Sequence, residues 1–318
     1  MRASYPSISL IIFTYNSSDL IQRNLMHIIA ALEFFPINNE IILVDNNSTD
    51  NTLEIVKKFI LKYNIKMRIV KNPKQGLSFS RIEGVKVASK EFVCFIDDDN
   101  FLSEKWFETL VRIIQKYNPD VIGCRTIGIA DIPFPTWWET DKGIYACGIR
   151  FKDTGFLNNP LDKMWAAGLT ARTKFLKPAL LRMNLLCTGR IGEKQMSGED
   201  SELNYRMRLL GAKFYNSNDL FLEHYMRSGR LNKGHLKKTR IGNGLGGINL
   251  DIYKFLLTNK NKYKLFNLAL LILIGALPLS IKYKTNYFKY ALMRFKTLRK
   301  RLEQQSIIKQ KFVDINLN

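Results

Sequence analysis

A chain of 318 residues, 46% of them hydrophobic, is long enough for one large domain with an appendage or for two domains, and too apolar to be globally disordered. Its formal charge of +21 is uneven: residues 1–224 hold 29 Lys and Arg against 25 Asp and Glu, while residues 225–318 hold 20 against 3. The basic character therefore belongs to the C-terminal part, which suits an anionic surface as partner, either membrane or nucleic acid. Cys94, Cys124, Cys147 and Cys187 lie far apart with no C-x-x-C pair, so four buried free thiols in a reducing compartment are expected. Three scattered His residues argue against a zinc site. The N-terminus reaches a strand within about eight residues and shows no signal-peptide pattern.

In chain order, Ile8 to Phe13 reads as an apolar strand, followed by Thr14, Tyr15 and Asn16, and Asp19 to Leu32 has helical spacing. Glu40 to Val44 reads as a second strand ending at Asp45, and the turn 46–50 supplies an N-cap for a helix from Thr52 to about Tyr63. Met67 to Val70 is a third strand, 74–76 a turn, and Leu77 to Ala88 a helix. A fourth strand, Phe92 to Ile96, stops abruptly at Asp97, Asp98 and Asp99. A helix at Trp106 to Tyr117 and a fifth strand at Val121 to Cys124 follow. This alternation predicts an α/β fold, Rossmann-like, with a mainly parallel sheet and helices on both faces.

Polar residues collect just after strands one, two and four, where a doubly wound sheet places its ligand. Three consecutive carboxylates repel one another and call for a compensating positive charge or open water. Mg²⁺ or Mn²⁺ held by carboxylates and a substrate phosphate supplies that charge, and a solvated acidic turn capping a helix is the alternative.

The pieces Ser9–Asn16, Val44–Thr52, Gly76 through Arg81 to Gly84, Phe95–Asp99, Ser197–Leu203, Arg206 to Gly211 and His224 together resemble a family 2 glycosyltransferase of the GT-A type. They span roughly three quarters of the chain. The resemblance implies transfer of a sugar from a nucleotide-diphosphate donor, here most simply a UDP-sugar, with inversion at the anomeric carbon. It also implies Mn²⁺ or Mg²⁺ as cofactor and a glycan or lipid-linked acceptor of the bacterial surface-glycan kind.

Carried onto single residues, the resemblance places Thr14 and Tyr15 along the nucleotide and gives Asp45 the imino N–H of uracil, an interaction that needs an acceptor. Asp50 is the better helix cap. Asp97 faces the ribose or the metal, Asp99 coordinates the metal, and Asp98 shapes the loop. His224 is either a further ligand or a structural imidazole. Asp200 becomes the base that takes the acceptor's proton, with helix capping as the simpler reading for it and for Glu199. Gly168, in the segment after Trp165, is expected where backbone approaches substrate. Arg230 and Arg240 are candidates for the donor diphosphate, on a basic, glycine-rich stretch that reads either as a flexible closing loop or as a solvated linker.

The division expected is 1–246 for the transferase domain and 247–318 for a helical, basic and apolar C-terminal region. There, Leu265 to Ile281 is apolar with lysines on both sides, suited to a membrane or to docking on the core. From Tyr287 onward a basic amphipathic pattern fits an anionic membrane face. The expected location is the cytoplasmic face of the inner or plasma membrane, peripheral or monotopic, and the partner is that surface, not nucleic acid. Two rivals remain, a nucleotidyltransferase and a non-catalytic nucleic-acid binder. The first should show a glycine-rich basic loop near the N-terminus, and Ile8 to Asn16 has neither feature. The second would bind with steep salt dependence and no need of Asp97, Asp99 or Asp200.

Overall fold

The computed structural model describes residues 5–182, 185–189 and 197–258. In order they form β1 (Ile8–Thr14), α1 (Ile21–Phe34), β2 (Asn39–Asp45), α2 (Thr52–Tyr63), β3 (Met67–Lys71) and α3 (Leu77–Val87). Then come β4 (Phe92–Asp97), β5 (Asn100–Leu102), α4 (Trp106–Tyr117), β6 (Val121–Ile129), α5 (Trp138–Asp141) and β7 (Gly155–Phe156). The last are β8 (Thr170–Arg172), α6 (Thr173–Leu181), α7 (Glu199–Leu209), β9 (Phe214–Tyr225) and α8 (Lys233–Leu257).

Side chains on a strand alternate between faces, and here both faces are apolar. Ile8, Leu10 and Ile12 of β1 point to one side, against Leu25 and Ile28 of α1, Phe59 of α2 and Leu110 of α4. Ile11 and Phe13 point to the other, with Val85 of α3, Leu176 of α6, and Leu203 and Met207 of α7. Helix α4 carries Trp106, Phe107, Leu110, Ile113 and Ile114 on its buried stripe. Each such aliphatic or aromatic side chain contributes roughly 1.5–3 kcal/mol on burial. Helices α2 and α4 stop at Asn64 and Asn118, both in the left-handed region at φ 50° and 49°, a conformation Asn tolerates better than most residues. All four cysteines are buried and free.

The sheet runs β3-β2-β1-β4-β8-β6-β9-β5, with β7 also on β9. Its first four strands are parallel, as expected. Beyond them β8 lies antiparallel between β4 and β6, β6 and β9 pair parallel, and β5 and β7 pair antiparallel with β9. The sheet is therefore mixed: most of its paired length is parallel, as expected, but three short strands run against their neighbours. The physical cause is the long excursion after β6, which returns through three residues running opposite to their neighbours before entering α6.

A second correction concerns the glycine-rich stretch around residue 242. It is no flexible loop but part of the 25-residue helix α8. Asn232 caps it, accepting from the His235 N–H at 2.9 Å. Packing against α7 overrides the glycines' poor helix propensity. Glu202 and Arg206 of α7 are wholly buried and paired at 2.7 Å. Glu202 also accepts from the Tyr253 hydroxyl of α8 at 2.8 Å and from the Cys187 N–H at 2.7 Å. Arg206 donates to the Ala179 carbonyl of α6 at 2.9 Å. One buried ion pair thus joins three helices and the 185–189 segment. The apolar run 265–281 and the basic pattern after Tyr287 lie outside the described residues. Among the described residues no helix is long and apolar enough to cross a membrane.

Candidate active site

Strand register gathers the first half of the site. Thr14 pairs with Asp45, and Phe13 with Asp97, so β1, β2 and β4 end side by side. The order β3-β2-β1-β4 makes this edge a topological switch point, the usual ligand position in such sheets. Asp45 is buried and accepts the Ser48 N–H at 3.0 Å, which folds the 46–50 turn over the strand end. Asp50 accepts from the Thr52 N–H at 3.0 Å and the Ser18 N–H at 3.1 Å, so it serves a first-turn donor of α2 from the position before Asn51, which stands at the N-cap in its place. Thr14 is buried with its hydroxyl committed to Asp98 at 2.9 Å, while Tyr15 is exposed and gives Asp98 its N–H at 3.1 Å. Asp98 therefore does shape the loop after β1.

The three carboxylates sit in different fields. Burial, then the neighbouring Asp99 charge, pushes Asp97 up to about 6 against the opposing pull of Arg81 and His224. Burial and Asp99 push Asp98 up to about 7, although Tyr15 and Thr14 hydrogen-bond it. For Asp99 burial is outweighed by His224, Arg230 and Arg227, which hold it down at about 2.

The pairing of β5 with β9 sets Asn100 opposite His224. His224 Nε2 stands 3.4 Å from Asp99 Oδ1, and Arg230 Nη1 lies 3.1 Å from Asp99 Oδ2. On its far side His224 Nδ1 meets the Cys147 thiol at 3.6 Å. Burial opposes an imidazolium here, but Asp99 prevails and raises His224 to about 10.

The second half arrives on α3 and α7. Gly84 lets α3 lie directly on β1: a Cβ there would stand 2.6 Å from Ile11 Cγ2. One turn earlier, Arg81 is driven under the sheet edge with only 4% of its side chain exposed, and donates to Asp200 Oδ1 at 2.8 Å. Burial opposes its charge, but Asp200, Asp97 and Glu199 outweigh burial and hold the guanidinium above its usual range. Asp200 Oδ2 accepts the Ala166 N–H at 3.1 Å. Asn204, one turn on, donates to the Asp200 carbonyl at 2.7 Å and accepts from the Met164 N–H at 2.9 Å. Asp200 is thus fixed from three directions at the positive end of α7, yet 32% of its side chain stays exposed.

That exposed part faces a cavity of about 420 Å³ whose lining includes Trp165, Asp200, His224 and Arg230. Of the expected residues Asp200, His224 and Arg230 line it; Thr14, Tyr15, Asp45, Asp97 and Asp99 stay at the strand ends, and Arg240 and Gly168 are engaged elsewhere. Arg240, on α8, is paired with Asp141 at 2.6 Å. Gly168, at φ +70°, turns its missing side chain to the core, where a Cβ would strike Trp106, Cys124 and Leu222 at 2.6–2.8 Å. Packing and a left-handed backbone explain that glycine. Arg81 was visible in the sequence only as a motif letter, because a helical arginine carries no mark of being buried.

Among the described residues no three His, Cys, Asp or Glu side chains converge on a point that could hold a metal by themselves. The donor set fits an ion shared with a ligand. Mg²⁺ and Mn²⁺ sites commonly use one or two carboxylates and complete their shell with phosphate and water. Asp97 and Asp98 are short of positive charge, and Asp99 with His224 offers an oxygen and a nitrogen within one cation's reach.

The profile of "Glycosyl transferase family 2" matches residues 9–178, more than half of the chain. The chain belongs to this glycosyltransferase family. It is similar to the poly(ribitol-phosphate) β-N-acetylglucosaminyltransferase TarS of Staphylococcus aureus, 31% identical over 121 residues, which is 38% of this chain and 21% of TarS. It spans about a fifth of that relative's length. Glycosyltransferase AglE of Haloferax volcanii is 25% identical over 280 residues, 87% of this chain and 84% of AglE. The crystal structure of S. aureus TarS 1–349 with UDP-GlcNAc superposes with a TM-score of 0.52 at 21% identity, over 73% of this chain and 60% of that one. GalNAc-T7 with UDP, GalNAc and Mn²⁺ gives 0.52 at 16% identity, over 79% and 49%. These likenesses show a shared GT-A fold. The glycosyltransferase reading thereby prevails over the nucleotidyltransferase and the non-catalytic binder.

Proposed function

We propose that this glycosyltransferase moves a sugar from a UDP-sugar to a hydroxyl of a lipid-linked or surface-glycan acceptor, by an inverting displacement with Asp200 as base. The observation that carries the reading is the placement of Asp200. It is a carboxylate clamped by Arg81 and the Ala166 N–H, still open to a cavity that His224 and Arg230 also line. A cavity with a fixed base and facing cations suits attack on a sugar whose diphosphate must leave.

Asp45 and the turn it holds receive the uracil, Tyr15 covers the nucleotide, and Asp97 takes the ribose or the metal. Asp99, His224 and Asp97 would hold a divalent ion, which neutralises the leaving diphosphate as a Lewis acid when bound. Arg230 adds a fixed positive charge at the same place. Each Asp200 oxygen has a second lone pair beyond its bond to Arg81 or Ala166, so the carboxylate can accept the hydroxyl proton as the glycosidic bond forms. The TarS complex with UDP-GlcNAc supports UDP as the nucleotide. The GalNAc-T7 complex with Mn²⁺ supports a divalent ion.

The proposal extends to organisation and place. Residues 1–246 form the transferase domain, the region 247–318 begins within α8 with its residues up to Leu257 packed on that domain, and its apolar and basic segments beyond the helix bind the cytoplasmic face of a membrane. The testing experiment is a screen of sugar nucleotides for slow hydrolysis in Mn²⁺ or Mg²⁺. A UDP-sugar should be consumed, and no turnover of any donor would overturn the reading. Cosedimentation with anionic and neutral vesicles tests the location. Protein left in the supernatant with both, at low salt, would overturn it.

A further inference from the structure

Past Asp200 the wall of the cavity changes sign. Arg150, Lys163 and Lys254 all line it, two from the stretch between β6 and β8 and one from α8. Arg150 Nε donates to the Lys163 carbonyl at 3.1 Å, and its guanidinium lies 5.3 Å from the Trp165 ring centre. The Arg150 guanidinium is therefore held beside the Lys163 backbone. Lys254 joins them from α8, paired with Asp251 at 2.9 Å. Asp162 lies near Arg150, and Glu199 lines the cavity beside Asp200.

Burial, then Arg150 and Lys254, lowers the Lys163 ammonium from its ordinary range, and burial does the same to Arg150. Like charges crowded round a cavity, two of them partly buried, are costly unless an anion joins them. The nearest carboxylate on the catalytic side, Asp200, is already spoken for by Arg81. Asp99, His224 and Arg230 form a separate cluster at the strand ends, where the donor diphosphate is assigned, so the trio is surplus to the donor.

We propose that Arg150, Lys163 and Lys254 form the anion site of the acceptor, which therefore carries a phosphate close to the hydroxyl presented to Asp200. This rests on the reading of Asp200 as the base. Guanidinium gives a phosphate two parallel hydrogen bonds, and the two ammonium groups add mobile point charges. The free face of Trp165 offers a stacking surface for the sugar or polyol that bears the phosphate. A neutral glycan brings no anion to these cations, so the site discriminates by charge. The phosphate belongs either to a polyol phosphate or to a lipid-linked diphosphate.

Calorimetric titration of the full chain, saturated with UDP and Mn²⁺, tests this and separates the sources. Glycerol 3-phosphate and geranyl diphosphate are titrated in turn, with glycerol as the neutral control. With UDP in place the donor site is closed to competition. At least one of the two phosphates should bind the parent and glycerol should not, and the tighter of the two identifies the source. The double variant Lys163→Gln/Lys254→Gln should weaken that binding by tenfold or more. Arg150→Gln, at an exposed position, should weaken it several-fold and serves if the double variant does not fold. Failure of both phosphates to bind, or variants that bind as tightly as the parent, overturns the proposal. The initial UDP titration reads the donor assignment on its own. Should UDP not bind, the same phosphate titrations are run without it, and the parent-to-variant ratio still decides.

Discussion

Arg81 Nη1 donates to Asp200 Oδ1 at 2.8 Å, joining residues 119 positions apart. The base is thus positioned by a helix of the nucleotide-side half, and the guanidinium also feels Asp97. Asp200→Asn keeps the shape and removes the basicity, so transfer should fall by roughly 10²-fold or more with UDP binding retained. Arg81→Gln should lower kcat about tenfold or more while KM for the donor changes little, because it unclamps Asp200 without touching the donor's base. Steady-state kinetics with both variants checks this. A normal kcat for Asp200→Asn would leave only helix capping as its role.

Asp99 carries the second expectation. Asp99→Ala removes the partner shared by His224 and Arg230, and UDP affinity in Mn²⁺ should drop. EDTA should reduce the parent to the same level. Equal UDP binding with and without divalent metal, read by calorimetry, would contradict the metal assignment.

His224 gives a pH signature in the metal-free protein. Its folded pKa is raised from 6.5 to about 10. A raised pKa means that the folded state holds the proton more tightly. The stabilisation is complete below about 6.5 and is lost as pH rises through about 10. Melting temperatures of the parent and His224→Gln, measured from pH 6 to pH 10 in EDTA, should therefore differ most at the acid end and converge at the alkaline end. A constant gap would mean that folding does not shift the His224 pKa.

The Glu202–Arg206 pair gives a stability test. Glu202→Leu leaves a buried guanidinium and two N–H groups without their acceptor, a loss of roughly 3–5 kcal/mol. Chemical denaturation should show this as a lower midpoint. Replacing both residues by apolar ones should recover part of the loss, since the uncompensated charge is then gone.

What the sequence displayed was the chemistry concentrated in contiguous segments. Asp97 to Asp99 at a strand end and Asp200 at a helix start stand out because they break apolar runs, and strand register then aligns Thr14, Asp45 and Asp97. Arg81, Lys163 and Lys254 gave no such signal. A cation on a helix or loop looks the same in sequence whether water or a cavity surrounds it, and only tertiary packing separates the cases. The three residues of β8 are too few to show alternation, so the antiparallel insertion stayed hidden. The glycines of α8 pointed to a loop because local propensity is a weak prior that packing against α7 overrules.

Gly246 marks where α8 crosses the strand of chain leading to Asp200. Any Cβ there would overlap the Ser197 carbonyl, and the Ser197 N–H bonds the Gly242 carbonyl at 3.2 Å. The crossing works as a hinge pin with no clearance: α8 cannot slide or roll without carrying residues 197–200 along. Leu257 ends that helix and leads into the last sixty or so residues. A pull applied at Leu257 would be carried along a rod of about 1.5 Å per residue to residues 197–200, so a tilt of α8 would move the carboxylate of Asp200 with it.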